Sequence, residues 1–278
     1  MAGLPRVAAV ATVLALGLIT CFILIEGVPA LMAHGPARFL FGERWNPRAG
    51  EFGIASMLAG TLAVTAGAML VGAPLGLACA LLLSEVLTGP AAAALKGAVE
   101  LLAAIPSVVY GFLGLVTLVP LIRTLLGGPG FSVLAASLVL GLMILPTVTL
   151  LGHAALRAVP HSYREASRAL GAGQWQTVSM ILLPAARPGI VAALVLAAGR
   201  AVGETMAVLM VAGNALQVAR CPLDPVRTLT GTMALELGYA TGRHRGALFA
   251  AGAVLLALSF AITCLTRAAG GARVGEPD

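Results

Sequence analysis

The sequence predicts an all-α, polytopic membrane protein with six transmembrane helices, and three observations carry that prediction. Of the 278 residues, 59% are hydrophobic and only 10% are charged. The mean hydropathy is +1.00, far outside ordinary soluble composition. The apolar residues also gather into runs long enough to cross a bilayer, whose hydrocarbon core of about 30 Å asks for about 20 helical residues.

Six such runs stand out, at approximately 7–25, 54–83, 98–121, 131–151, 189–213 and 246–266. The first follows Arg6 and is longer than the apolar core of a usual secretory signal, so a retained helix is expected. The second is interrupted by Gly72 and Pro74, and the third contains Pro106 and Pro120. Such breaks are tolerated where neighbouring helices or cavities satisfy the freed backbone groups, which suits the packed helices of a transporter.

Six spans return both termini to one side. Lys and Arg outside the spans divide evenly between the two loop sets, eight and eight, with Arg200 left inside a span. Local density decides the orientation: Arg157, Arg164, Arg168 and Arg187 cluster within or beside the loop between spans four and five, with Glu165 as its only acid. That loop and both termini are therefore expected in the cytoplasm.

The loops on the other side differ in character. Residues 26–53 form an external segment of mixed charge holding Trp45, read as an interfacial aromatic or a docking surface. In the second external segment, 214–245, Leu229, Met233 and Leu237 share one helical face. The pattern leaves open whether that helix re-enters the membrane or lies against it.

Several function classes are excluded. The net charge of +6 comes with only 5% aromatic residues and no Lys/Arg run, so it reads as membrane-surface and loop charge rather than a nucleic-acid footprint. Cys21, Cys79, Cys221 and Cys264 show no CxxC or Cys/His ligand spacing, and neither a metal site nor a disulfide frame is expected. The only lysine, Lys96, is followed by Gly97, so the chain lacks a Walker A phosphate loop. Neither HExxH nor GxSxG occurs, and no enzyme activity is expected. Glu85, Glu100 and Lys96 read as interface charges at span ends, Ser107 and Tyr110 near a break as packing groups with a pore-lining role as the alternative, and His34, His153, His161 and His244 as loop residues.

The most specific pattern is HSYREASRALGAGQWQTVSMILLP, residues 161–184. Ser162 followed by Glu165 has capping-box spacing and predicts a helix start. Gly171 is placed to end that helix in the left-handed conformation. A second short helix carries Trp175, Val178 and Leu182 on one face and is expected to stop near Pro184. Two stubby helices make a compact knob whose surface Ala166 and Ala169 keep thin. Physical reasoning fits equally a knob that enters a groove on another protein and a loop helix lying on the membrane surface.

The fifth apolar run contains GRAVGETMAVLM, 199–210, with both an arginine and a glutamate. Arg200 and Glu204 are four apart, so on a continuous helix they share a face and can pair. Each charge at mid-bilayer costs about 2.5–3.5 kcal/mol even on the lenient insertion scale, so the pair must face protein or water. It is either part of a path for an anion or a structural ion pair between helices. Gly199 and Gly203 flank it on adjacent turns and allow close helix approach.

The spacing Glu165–Ala166–Ser167, three residues, Gly171, nine residues, Ile181–Leu182–Leu183–Pro184 resembles the EAA loop of ABC importer permeases, with Ser167 where that family usually has alanine. The segments LLAAIPSVVYGFLGL (101–115), ILPTVTLLGHAALRAVP (144–160), GRAVGETMAVLMVAGN (199–214) and RTLTGTMALELG (227–238) resemble the phosphate-import permeases of PstC type. The resemblance spans roughly residues 98–267 and implies an ABC importer permease (MetI-like) fold over 54–267. Residues 1–53 add a first helix and external loop, and 268–278 a cytoplasmic tail. It further implies that Glu165, Ala166, Ser167, Gly171, Ile181 and Pro184 form the coupling element seated in an ATPase, and that Arg200 and Glu204 take part in phosphate passage. The implied partners are a sister permease of PstA type, two copies of a PstB-type ATPase that uses ATP and Mg, and an external PstS-type phosphate-binding protein, in a prokaryotic inner membrane. Another oxyanion such as molybdate or sulfate is the alternative within the class. A self-sufficient channel or secondary carrier is the alternative outside it.

Overall fold

The computed structural model describes residues 3–270, with side chains from 6 to 264. A long helix, α1 (Gly3–His34), opens the chain and is followed by a short α2 (Pro36–Phe41) and a two-stranded hairpin of β1 (Trp45–Asn46) and β2 (Glu51–Phe52). The strands are antiparallel, with Trp45 opposite Phe52. Then come α3 (Ala55–Leu81), α4 (Gly89–Ala104), α5 (Ser107–Leu113), α6 (Val119–Leu126), α7 (Val133–Arg157), the knob helices α8 (His161–Ala169) and α9 (Gln174–Thr177), α10 (Leu183–Gly203), α11 (Met206–Val211), α12 (Leu229–Glu236) and α13 (Gly242–Gly270). Of the tail expected at 268–278, residues 268–270 continue α13 and the rest lie outside the described residues.

Six helical stretches are long and apolar enough to span a bilayer: Arg6–His34, Ala55–Val86, Ser107–Leu126, Val133–Arg157, Gln174–Gly203 and Gly242–Cys264. The all-α, six-span expectation holds, and the boundaries shift where prolines act. Pro106 restricts Ile105 to an extended backbone, φ −67° and ψ 127°, because its ring clashes with a helical predecessor. The third span therefore starts at Ser107, and residues 98–104, expected inside it, belong to α4, a separate and mostly exposed helix. Pro120 and Pro184 break nothing. Each follows a π turn, Gly114–Leu118 and Val178–Leu182, whose wider i→i+5 bonding lets the helix absorb a residue without an N–H. The stop expected near Pro184 is thus corrected: α9 runs through the π turn into α10, and the knob feeds directly into span five.

The most extensively packed helix pair is α3 with α7. Val64, Ala68, Gly72, Gly76 and Ala80 recur every fourth residue and are all buried, a small-residue stripe that lets two backbones meet. A Cβ on Gly76 would come within 2.7 Å of the Val148 side chain. Two hydroxyls from α7 reach across this seam, Thr149 donating to the Gly76 carbonyl at 3.1 Å and Ser137 to that of Val64 at 3.4 Å. Pro74 lies on the exposed side of α3, which continues through it unbroken. Around this pair α10 packs on α7 and α13, and α1 packs on α13.

The expected surface role of Trp45 is overturned. Trp45 is 6% exposed and its indole donates to the Glu236 carboxylate at 2.8 Å. The same carboxylate accepts from Arg227 at 2.8 Å and meets His244 at 2.9 Å, so His244 is an internal partner rather than a bland loop residue. A buried carboxylate needs such partners, and the need draws the hairpin inward onto α12. That helix does not float: Thr61 of α3 accepts from the Leu229 N–H at 3.0 Å, and α12 packs against α3 and α13. Leu229 is fully buried, Met233 half-buried and Leu237 exposed.

Candidate functional site

Two regions, one leading into span five and one toward its far end, hold the residues singled out by sequence. At one end is the knob. Its first helix begins at His161 with Pro160 at the cap position and no side-chain cap bond. The capping box expected from Ser162 and Glu165 is not formed; proline presets the entry, and Glu165 instead meets the His161 ring at 3.1 Å on the surface. Gly171 adopts φ +80° and ends the helix as expected, with its N–H donating to the Arg168 carbonyl at 2.9 Å.

Ser167 is 2% exposed and shares a 2.8 Å hydrogen bond with Thr177. This hydroxyl pair clamps the two knob helices together, a role the spacing alone did not reveal. Outward from the clamp, Ala166 and Ala169 are exposed, and so are Leu170 at 88% and Trp175 at 71%. Val178 and Leu182 are buried, so Trp175 leaves the face it was expected to share with them. Ile181 is half-buried and Pro184 exposed where the knob passes into span five. Large apolar groups at the tip of a polar knob suit a protein partner better than water.

The knob is tied to span two. Arg164, 12% exposed, meets Glu85, 10% exposed, at 2.7 Å. It also donates to the carbonyls of Val159 and Leu156, each at 3.1 Å, and Gln174 donates to the Glu85 carbonyl at 2.6 Å. Glu85 is thus a buried strut rather than an interface charge, while Lys96 and Glu100 pair at 3.7 Å on the surface.

The second region surrounds Arg200. Helix α10 ends at Gly203, and Glu204 is extended, with φ −68° and ψ 133°. The pairing expected from helical spacing therefore fails, and Arg200 and Glu204 form no ion pair within 4.0 Å. The physical reason is the break itself: Glu204 turns to cap α11, its carboxylate accepting the Ala207 N–H at 3.3 Å. The Glu204 carbonyl, freed by the break, accepts the Thr230 hydroxyl at 2.9 Å. Non-helical backbone at membrane depth is tolerated only when so satisfied or when it lines a cavity.

A second break faces the first. Helix α5, which starts just after Pro106, packs on α11 so closely that a Cβ on Gly111 would lie 2.8 Å from the Ala207 Cα. Tyr110 bridges its own break by donating to the Leu102 carbonyl at 2.8 Å, and Arg200 is within its electrostatic reach. Arg200 itself is exposed and makes no hydrogen bond or ion pair among the described residues. A Cβ on Gly199 or Gly203 would meet nothing within 4 Å. One face of span five thus presents a guanidinium with all five donors unused, flanked by bare backbone.

The two breaks and the tip of α12 converge here. Thr230 and Tyr110 were missed or passed over in the sequence; the only available signal for Thr230 was its place beside Thr228 and Gly231, a helix start. In chemical terms the site offers a planar fork for an oxyanion next to a carboxylate already engaged with backbone. Nothing in the arrangement supplies a nucleophile with an adjacent base.

Comparison with known proteins agrees with this architecture. Residues 72–270 match the family model described as binding-protein-dependent transport system inner membrane component. The chain is 40% identical over 256 residues to a probable ABC transporter permease protein, YqgH, of Bacillus subtilis, covering 90% of this chain and 83% of that one. It is 33% identical to the phosphate transport system permease protein PstC of Mesorhizobium japonicum, covering 94% of this chain and 86% of that one. Among solved structures, a bacterial alginate ABC transporter matches with a TM-score of 0.65 at 17% identity, over 95% of this chain and 93% of that one. The MetNI methionine ABC transporter matches with 0.58 at 23% identity, over 79% and 93%. The chain belongs to the binding-protein-dependent transport system inner-membrane component family, as a multi-pass permease that groups with those of PstC type.

Proposed function

We propose that this permease carries inorganic phosphate inward as one transmembrane subunit of an ATP-driven importer. The observation that carries the reading is the near full-length similarity to PstC permeases, at 33% identity over 94% of the chain. The unpartnered Arg200 at a doubly broken membrane site supports it in chemical terms. In this reading a PstA-type sister permease closes the open face of span five, two PstB-type ATPase copies bind ATP and Mg and receive the knobs, and a PstS-type protein delivers phosphate from outside. The knob and both termini face the cytoplasm of a prokaryote, and the hairpin and α12 face out.

The working cycle is alternating access. Closure of the ATPase pair moves the knob through Leu170 and Trp175. The Arg164–Glu85 strut carries that displacement to span two, and the unbroken passage through Val178–Leu182 carries it to span five. Phosphate exchanges onto Arg200, whose fork is free, while Glu204 holds α11 in place from the other side of the break. The test is phosphate uptake by vesicles bearing the reconstituted complex, with and without ATP and binding protein. Uptake is expected only with both; uptake by this chain alone, indifferent to ATP, overturns the reading.

A further inference from the structure

We infer that the cleft beside the knob is a second anion site, built to hold a phosphate group at the end of the bundle where span two, span four and α4 meet. It is a cavity of about 710 Å³. Four cations, Lys96, Arg157, Arg164 and Arg168, stand on its wall against a single carboxylate, Glu85. Only Arg164 is fully engaged, by Glu85 and two carbonyls. Lys96 reaches Glu100 at the loose distance of 3.7 Å, and Arg157 and Arg168 are exposed, with no hydrogen bond or ion pair among the described residues.

Ser84, Thr88 and His153 line the same wall beside these cations. Uncompensated positive charge around a concave wall is the chemistry of a phosphate receptor.

Position says where such a group comes from. Arg157 ends span four and Glu85 lies at the end of span two, so the cleft opens at the depth of lipid headgroups. Basic pockets between helix ends bind anionic headgroups. Inorganic phosphate carries the same chemistry and is the other source. Either ligand would sit on the joint that ties the knob to span two, distinct from Arg200 at the opposite end of span five.

The test uses the intact complex purified in neutral detergent, because it reads binding and not transport. Affinity is measured for short-chain phosphatidylglycerol, for phosphatidylcholine of the same chain length, and for inorganic phosphate. Wild type is compared with Arg157→Gln/Arg168→Gln, which leaves the Arg164–Glu85 pair in place, and with Arg200→Ala. Binding that weakens about tenfold or more in the double glutamine variant and is unchanged in Arg200→Ala supports the site. Response to phosphatidylglycerol over phosphatidylcholine assigns a lipid, and response to inorganic phosphate alone assigns the free ion. Binding of every probe that is equal in wild type and the double variant overturns the proposal, without touching the transport reading.

Discussion

Breaking the Arg164–Glu85 strut should uncouple ATP hydrolysis from transport. The pair is about nine-tenths buried on both sides, with Nη2 at 2.7 Å from one carboxylate oxygen and Nε at 3.4 Å from the other. Arg164→Gln strands the Glu85 carboxylate with only the Ser84 hydroxyl, 2.8 Å away, as a side-chain partner. Breaking a buried pair in this way costs about 3–5 kcal/mol. Glu85→Gln leaves Arg164 its two carbonyl acceptors and should cost less. The double glutamine variant leaves no stranded carboxylate, so its loss should fall short of the sum of the singles by about 1–3 kcal/mol. The assay has two readouts on the reconstituted complex: thermal stability, and phosphate imported per ATP hydrolysed. Both singles should keep hydrolysis while the transport ratio falls severalfold. Additive losses of stability, or an unchanged ratio in Arg164→Gln, would refute the strut.

Other outcomes follow from single contacts. Gly111→Leu places a side chain against the Ala207 backbone 2.8 Å away; α5 and α11 must part, and uptake should be lost while the knob still binds the ATPase in pull-down. Ser167→Ala removes one hydrogen bond and should cost about 1 kcal/mol with uptake largely kept. Ser167→Leu overfills a position 2% exposed and should abolish assembly with the ATPase, read by co-purification. In a Trp175→Phe background Trp45 is the one tryptophan left in the chain, and under tryptophan-selective excitation Glu236→Ala should shift its emission to the red as water reaches the vacated carboxylate site.

Much of the fold was legible because hydrophobic run length answers directly to bilayer thickness. Gly171 was legible because a helix end with that turn needs a residue at positive φ, and glycine takes it without strain. The proline effects were not, since the same residue breaks the chain at Pro106 and is absorbed at Pro120 and Pro184. A π turn stands ahead of Pro120 and Pro184, while α3 continues through Pro74 without one, and nothing local in the sequence tells these cases apart. The break at Glu204 lay hidden for a related reason. Apolar composition continues through it, and what stabilises it is a hydroxyl 26 residues away, Thr230, together with the approach of Gly111 from another span. Trp45 misled because an isolated aromatic near charges reads as a surface anchor, whereas its buried partner, Glu236, is 191 residues distant.

The central claim is that phosphate passes Arg200. Along α10 the residue stands 13 positions beyond Arg187, about 20 Å at the helical rise, within an apolar stretch, Gln174–Gly203, long enough to cross a core of about 30 Å. An arginine on such a span without a partner among the described residues must meet water, the sister permease or the transported ion. The direct measurement is phosphate uptake by vesicles carrying the complete complex with Arg200→Ala, scored beside assembly and binding-protein-stimulated ATP hydrolysis. Uptake should be abolished while assembly and stimulated hydrolysis persist. Uptake near the wild-type rate, or loss of the assembled complex, would contradict it.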